Sequence, residues 1–230
     1  MATYEKVSWF QRLKNNMKDL SGREKLAYLW EYYKWFAIGA VALIIATVSV
    51  IISVKENSKE VLYSGVVANL AASEEGKAYL SEGWFEMLGG NSKKQRIELE
   101  EMPIPAVGSP VYTETSGANV TKLLAMISVG DVDYVIADQE AILYLNTQGA
   151  FTDLNSLFSE QQLTLFEGKL ITAEDKDGTY PVAIDISDLP FIKTQIPVDE
   201  SITVCIAFPG NTGRTERNMA FLQYLMNWSE

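Results

Sequence analysis

The sequence predicts an α/β protein, with a single transmembrane helix followed by a compact sheet carrying helices on its faces. Three observations lead there. Residues 35–54 (WFAIGAVALIIATVSVIISV) are twenty consecutive positions without a formal charge. From residue 61 onward, apolar strand-like runs alternate with segments of helical period, as in a sheet covered by helices. The composition, 47% hydrophobic and 21% charged over 230 residues, is that of a folded chain with room for one span and one domain.

Residues 1–34 read as a cytoplasmic N-terminal segment. Val7, Phe10, Leu13 and Met17 recur at helical spacing with basic residues between them, an amphipathic pattern suited to an anionic bilayer surface or a cytoplasmic partner. Ser21 and Glu24 have the spacing of a capping box, so a helix is expected to start near residue 22 and run on into the span. Trp30, Tyr32, Tyr33, Trp35 and Phe36 then place five rings at headgroup depth.

Twenty helical residues rise about 30 Å, the thickness of a bilayer's hydrocarbon core. Four Lys/Arg lie in the twenty residues before the span and two in the twenty after it, so the positive-inside rule keeps the N-terminus in the cytoplasm. Residues 1–34 carry seven basic and four acidic side chains, and residues 55–230 twelve and twenty-six. The acidic bulk is therefore expected outside the cell membrane. The apolar run starts too late, and lacks the small-residue cleavage site, for a removable signal peptide. Gly39, Ala42, Ala46, Ser49 and Ser53 align on one helix face, where a membrane-protein partner could approach closely.

Residues 55–60 (KENSKE) read as a linker, and 61–230 as the extracytoplasmic domain. Within it, 62–70 and 95–104 read as strands separated by a helix over 73–90, which ends at a glycine pair. A helix over 117–130 leads to a strand at 133–138 and a helix near 139–146, and a further helical stretch surrounds NSLFSEQQLTLFEG. Residues 170–185 form a hairpin turning at Asp177 and Gly178, 201–209 a strand, and 215–228 an amphipathic helix.

Much chemistry is excluded. With no histidine and one cysteine, Cys205, the chain cannot form an internal disulfide, a Cys/His zinc site or a His-based triad. A formal charge of −11 without a basic cluster argues against nucleic acid. Cys205 lies inside the apolar run ITVCIAF and reads as a core thiol. AEDKDGTY lacks the third aspartate and the distant glutamate of an EF-hand, and reads as a hairpin turn. No cofactor is expected.

Candidate ligand residues sit at strand ends: Asn69 after the first strand, Asp138 closing the third, Asp185 and Ser187 before Pro190, and Asn211 and Thr212 with Arg214 ahead of the last helix. Asp131 and Asp133 read as turn and capping residues.

Residues 128–154 (SVGDVDYVIADQEAILYLNTQGAFTDL) resemble the start of the second lobe of type 2 bacterial solute-binding proteins, the receptors of ABC importers. PVAIDISDLPFI (181–192) is similar to the stretch where those chains return to the sheet, and NTGRTERNMAFLQYLM (211–226) to their late helix. With WEYYKW running into the anchor, the whole resembles small membrane-anchored proteins of Gram-positive gut bacteria. The resemblance implies a reduced type 2 lobe that captures a small ligand or peptide without catalysis. With 176 residues after the span, one full lobe and at most a reduced second one are available, which favours a shallow site. Two other functions are compatible with the residues. One is a non-enzymatic structural or regulatory subunit of a membrane complex using the small-residue helix face. The other is a cell-wall hydrolase working through paired carboxylates.

Overall fold

A computed structural model describes residue 18 and residues 21–104, 114–176 and 178–229. It contains two compact units, residues 1–58 and 59–230. The first unit is dominated by α1 (Gly22–Asn57), 36 residues long. The Ser21 backbone N–H donates to Glu24 Oε2 at 2.8 Å, so one of the orphan donors at the helix start is satisfied by the expected glutamate. Within α1, residues Lys34–Glu56 are long and apolar enough to cross a membrane. The amphipathic pattern at Val7, Phe10, Leu13 and Met17 lies outside the described residues.

The second unit is a mixed α/β domain. Its strands are β1 (Glu60–Ala68), β2 (Gln95–Met102), β3 (Tyr134–Asp138), β4 (Leu170–Asp175), β5 (Gly178–Asp185) and β6 (Val204–Ala207). They form one six-stranded sheet in the order β2-β1-β3-β6-β5-β4. β2 and β3 both pair parallel with β1, whereas β6 is antiparallel to β3 and to β5. β1, β2, β3 and β5 therefore point their carboxyl ends at one edge, and β6 starts there. Because α1 continues to Asn57 and β1 begins at Glu60, only Ser58 and Lys59 separate helix from strand, less than the linker the polar composition predicts.

The remaining helices are α2 (Glu74–Ala78), α3 (Trp84–Met87), α4 (Glu114–Ser128), α5 (Gln139–Thr147), α6 (Leu154–Leu157), α7 (Glu160–Leu163), α8 (Pro190–Gln195) and α9 (Asn218–Met226). α2 passes into α3 through a π-helical turn, Tyr79–Gly83, so the single expected helix is present with a bulge. The bulge sits where Tyr79 stacks on Tyr224 at 4.1 Å, and each hydroxyl donates to the other residue's carbonyl. α8 is the element the sequence reading omits. Its proline occupies the first turn, where the missing N–H is harmless, and Phe191 and Ile192 are buried.

Strand alternation distributes the core to both sheet faces. Tyr63, Val67, Tyr134, Ile136, Val204 and Ile206 face one layer, built from α2, α3, α6, α7, α8 and α9. Val66, Ala68, Val135, Ala137, Cys205 and Ala207 face the other, built from α4 and α5. The small residues on that second face let two helices lie close, while the large ones on the first pack an aromatic cluster around Trp84 and Phe221. β4 and β5 form the expected hairpin, but Gly178 opens β5 opposite Asp175 instead of sitting in the turn, which comes one residue earlier than expected; Asp177 lies outside the described residues.

Candidate functional site

The strand order makes the gap between β1 and β3 a topological switch point, since the chain leaves β1 for β2 on one side and reaches β3 on the other. Crevices at the carboxyl edge of such a point are where α/β sheets hold ligands. Asn69 and Asp138 stand there. Asn69 adopts φ +61°, a left-handed conformation that asparagine tolerates better than other non-glycine residues. That turn aims its amide across the gap, where Nδ2 donates to Asp138 Oδ2 at 3.1 Å. Its Oδ1 accepts the Ile104 N–H at 2.9 Å, and its backbone N–H donates to the Met102 carbonyl. One side chain thus ties together the ends of β2, β1 and β3.

Asp138 has a second duty. Its Oδ1 accepts the Ala141 N–H at 2.8 Å and caps α5, a role worth about 1 kcal/mol. The Gln139 N–H donates to the Thr203 carbonyl, which draws the start of β6 to the same place. Asn69, Leu70, Asp138, Glu140, Ile202 and Thr203 line the resulting crevice, whose volume is about 620 Å³. Both Asp138 oxygens hold structure, so Asp138 is a positioned acceptor, while Glu140 is exposed beside it. Carboxylates, neutral polar groups and two apolar side chains line it, and among the described residues no Lys or Arg does.

Asp185 and Ser187 reach this edge two strands away. Asp185 Oδ1 accepts the Ser187 N–H at 2.9 Å and its hydroxyl at 2.6 Å, and Ser187 Oγ accepts the Val204 N–H at 2.8 Å. The pair is a turn that locks the end of β5 to the start of β6. Ser187 lines a neighbouring crevice of about 570 Å³, and neither residue lines the first one.

Asn211 and Thr212 do not join them. Asn211 Nδ2 donates to the Ile127 carbonyl at the end of α4, at the opposite edge, where β3 begins. Five residues of β3 separate the two edges, about 16 Å at strand rise. There, Asp133 is buried and accepts Arg214 Nε at 2.9 Å, the Ser64 N–H at 2.8 Å and the Thr212 hydroxyl. Burial pushes its carboxyl above the usual range, against the pull of Thr212, Arg214 and Ser64. Asp133 is thus a buried ion-pair member rather than a turn residue. The Arg214 guanidinium, a candidate anion partner by sequence, is spent on it.

Sequence reading omitted the loop before β6. Asp199 turns it by accepting the Ser201 N–H and hydroxyl, and Ser201–Thr203 then wall the crevice. The turn-forming run PVDES signals a loop; only the antiparallel direction of β6 brings that loop to the carboxyl edge. Among the described residues, no group of His, Cys, Asp and Glu is placed to hold a metal. No protein-family model, curated protein or solved structure matches the chain.

Proposed function

We propose that this chain is a single-pass, membrane-anchored binding module whose α/β domain lies outside the cell membrane and captures a small ligand or peptide without catalysis. The reading keeps the resemblance to a reduced type 2 solute-binding lobe. One observation carries it: the crevice at the β1/β3 switch point, bridged by Asn69 and Asp138, is where this class of sheet binds ligands. The anchor is the apolar helix Lys34–Glu56, and the excess of Lys and Arg before it sets the orientation. Thermal-shift measurement on the full chain in nonionic detergent, against sugars, amino acids and short peptides, tests the site. A stabilising ligand whose effect disappears in Asn69→Ala and Asp138→Ala supports it, and no stabilisation by any class sinks it. A C-terminal reporter active only in the cytoplasm would overturn the orientation.

A second reading, a subunit of a membrane complex, is favoured by the alignment of the small residues Gly39, Ala42, Ala46, Ser49 and Ser53 along one face of α1. Leucine at positions 39, 42 and 46 should then abolish recovery of a partner, and unchanged recovery excludes that interface.

A further inference from the structure

The carboxyl edge holds more than one crevice, and neighbouring crevices share lining residues. A crevice of about 290 Å³ at the end of β2 shares Asn69 and Leu70 with the 620 Å³ crevice. That one in turn shares Ile202 with the 570 Å³ crevice beside α8. They form a row across the ends of β2, β1, β3, β6 and β5, four inter-strand gaps or about 19 Å. This exceeds what a single amino acid or monosaccharide fills, and matches an extended peptide of about six residues at ~3.3 Å each.

Its chemistry is one-sided. Glu101, Asp138, Glu140, Asp188, Asp199 and Glu200 line it, and Lys193 is the one cation in the lining among the described residues, with Lys169 beside it at 3.6 Å from Asp188. Lys193 is itself paired with Asp188 at 3.2 Å. Glu101 is held by Lys77 and the Ala72 N–H, and Asp199 by Ser201. Glu140 and Glu200 are exposed and have no ion-pair partner among the described residues. Leu70, Ile202 and Val198 supply apolar patches between these acids. An extended peptide alternates its side chains, so every second residue can meet an acid while its neighbours cover the apolar patches.

We infer that this row of crevices acts as one groove, which takes an extended peptide of about six residues bearing Lys or Arg. This rests on the binding-module reading above and names its ligand class. Peptide chemistry is favoured over a polyamine by the apolar patches, which a bare polyamine leaves uncovered.

The test is calorimetric titration of the full chain in nonionic detergent with three probes: acetyl-(Lys-Ala)3-amide, its glutamate counterpart acetyl-(Glu-Ala)3-amide, and lysine amide. The lysine hexapeptide should bind at least tenfold tighter than either of the others. Glu140→Gln combined with Glu200→Gln should weaken it about fivefold at low salt, with the difference shrinking as salt rises. Equal binding of the glutamate peptide, equal binding of lysine amide, or no change in the double variant overturns the inference. If small ligands stabilise the protein through Asn69 and Asp138 while the lysine peptide does not bind, the groove fails and the crevice reading stands. If neither binds, both fail.

Discussion

Gly65 lies opposite Tyr134 across the parallel β1/β3 pair, and the tyrosine ring covers the place where a side chain would be. A Cβ at position 65 would sit 2.0 Å from Tyr134 Cζ and 2.3 Å from its Cε1 and hydroxyl oxygen. Restoring an ordinary contact of about 3.4 Å requires the ring to move about 1.4 Å. It has nowhere to go: Tyr134 is fully buried, with Tyr63 stacked at 5.5 Å and Phe221 at 4.3 Å. Overpacking costs typically 1–3 kcal/mol, and a clash against a ring penned in by two others belongs at the top of that range. Gly65→Ala should therefore destabilise the domain by about 3 kcal/mol. Denaturant titration of the full chain in nonionic detergent reads this, with the fluorescence of Trp84 beside Tyr63 as reporter. Tyr134→Ala alone leaves a cavity and costs about 3–5 kcal/mol. In the double variant the new methyl enters that cavity, so the pair should be less destabilised than the sum by about 2 kcal/mol. An additive cycle, or Gly65→Ala within 1 kcal/mol of the parent, refutes the steric argument.

Five more outcomes follow from the structure. The Tyr134 hydroxyl is buried without a hydrogen-bond partner, so Tyr134→Phe should leave stability unchanged or raise it by up to about 1 kcal/mol in the same titration. Asp133→Ala should cost about 3 kcal/mol by stranding Arg214 and the Ser64 N–H, whereas Asp133→Leu with Arg214→Met should cost less than that single change. Because burial raises the Asp133 carboxyl above 3.8, the native state keeps its proton to higher pH than the unfolded chain. This group's contribution to stability then falls as pH rises from 3.8 through the raised native value, and Asp133→Asn should remove that slope from the pH dependence of the denaturation midpoint. Asn69→Gly keeps the left-handed turn and loses only the side-chain bonds, so Asn69→Ala should cost about 1 kcal/mol more in thermal melts. Cys205 is fully buried and burial pushes its thiol up to about 12, so an aromatic disulfide reagent should react with the chain only after denaturation.

What the sequence made legible was whatever depends on local pattern. The uncharged run, the apolar run YVIA closed by Asp138, the glycine stop after Leu88 and the turn residues before β5 each carry their own signal, and each element lies within a residue or so of where its pattern puts it. Asn69 and Asp138 were also readable one at a time, as polar residues closing apolar strands. That they meet was not, because contact across 69 residues depends on β1 and β3 being neighbours and parallel. The same gap explains Asn211 and Thr212. A polar turn before a helix reads identically at either edge of a sheet, and only the direction of β6 places this one opposite the others. Asp133 shows a third kind of loss. Its neighbours in sequence suggest a turn, while the arginine that pairs with it lies 81 residues on.

These two polar clusters divide the labour of the sheet. At the edge where β3 starts, the charges are paired inward: Arg214 with Asp133, and Arg217 donating to the Leu62 carbonyl beneath it. Such groups close the structure, since each removed partner leaves a buried charge or carbonyl unsatisfied. At the carboxyl edge the bonds run along the rim, from Ile104 through Asn69 to Asp138 and from Asp185 through Ser187 to Val204. They fix the rim's shape and leave Glu140 and Glu200 turned to solvent. Because the core is buried on both faces of the sheet, carboxylates of like charge can stand exposed at this edge without unfolding it. A cationic chain laid along that rim would relieve their repulsion, so the electrostatic cost the free domain carries there is the same quantity that drives the binding proposed for it.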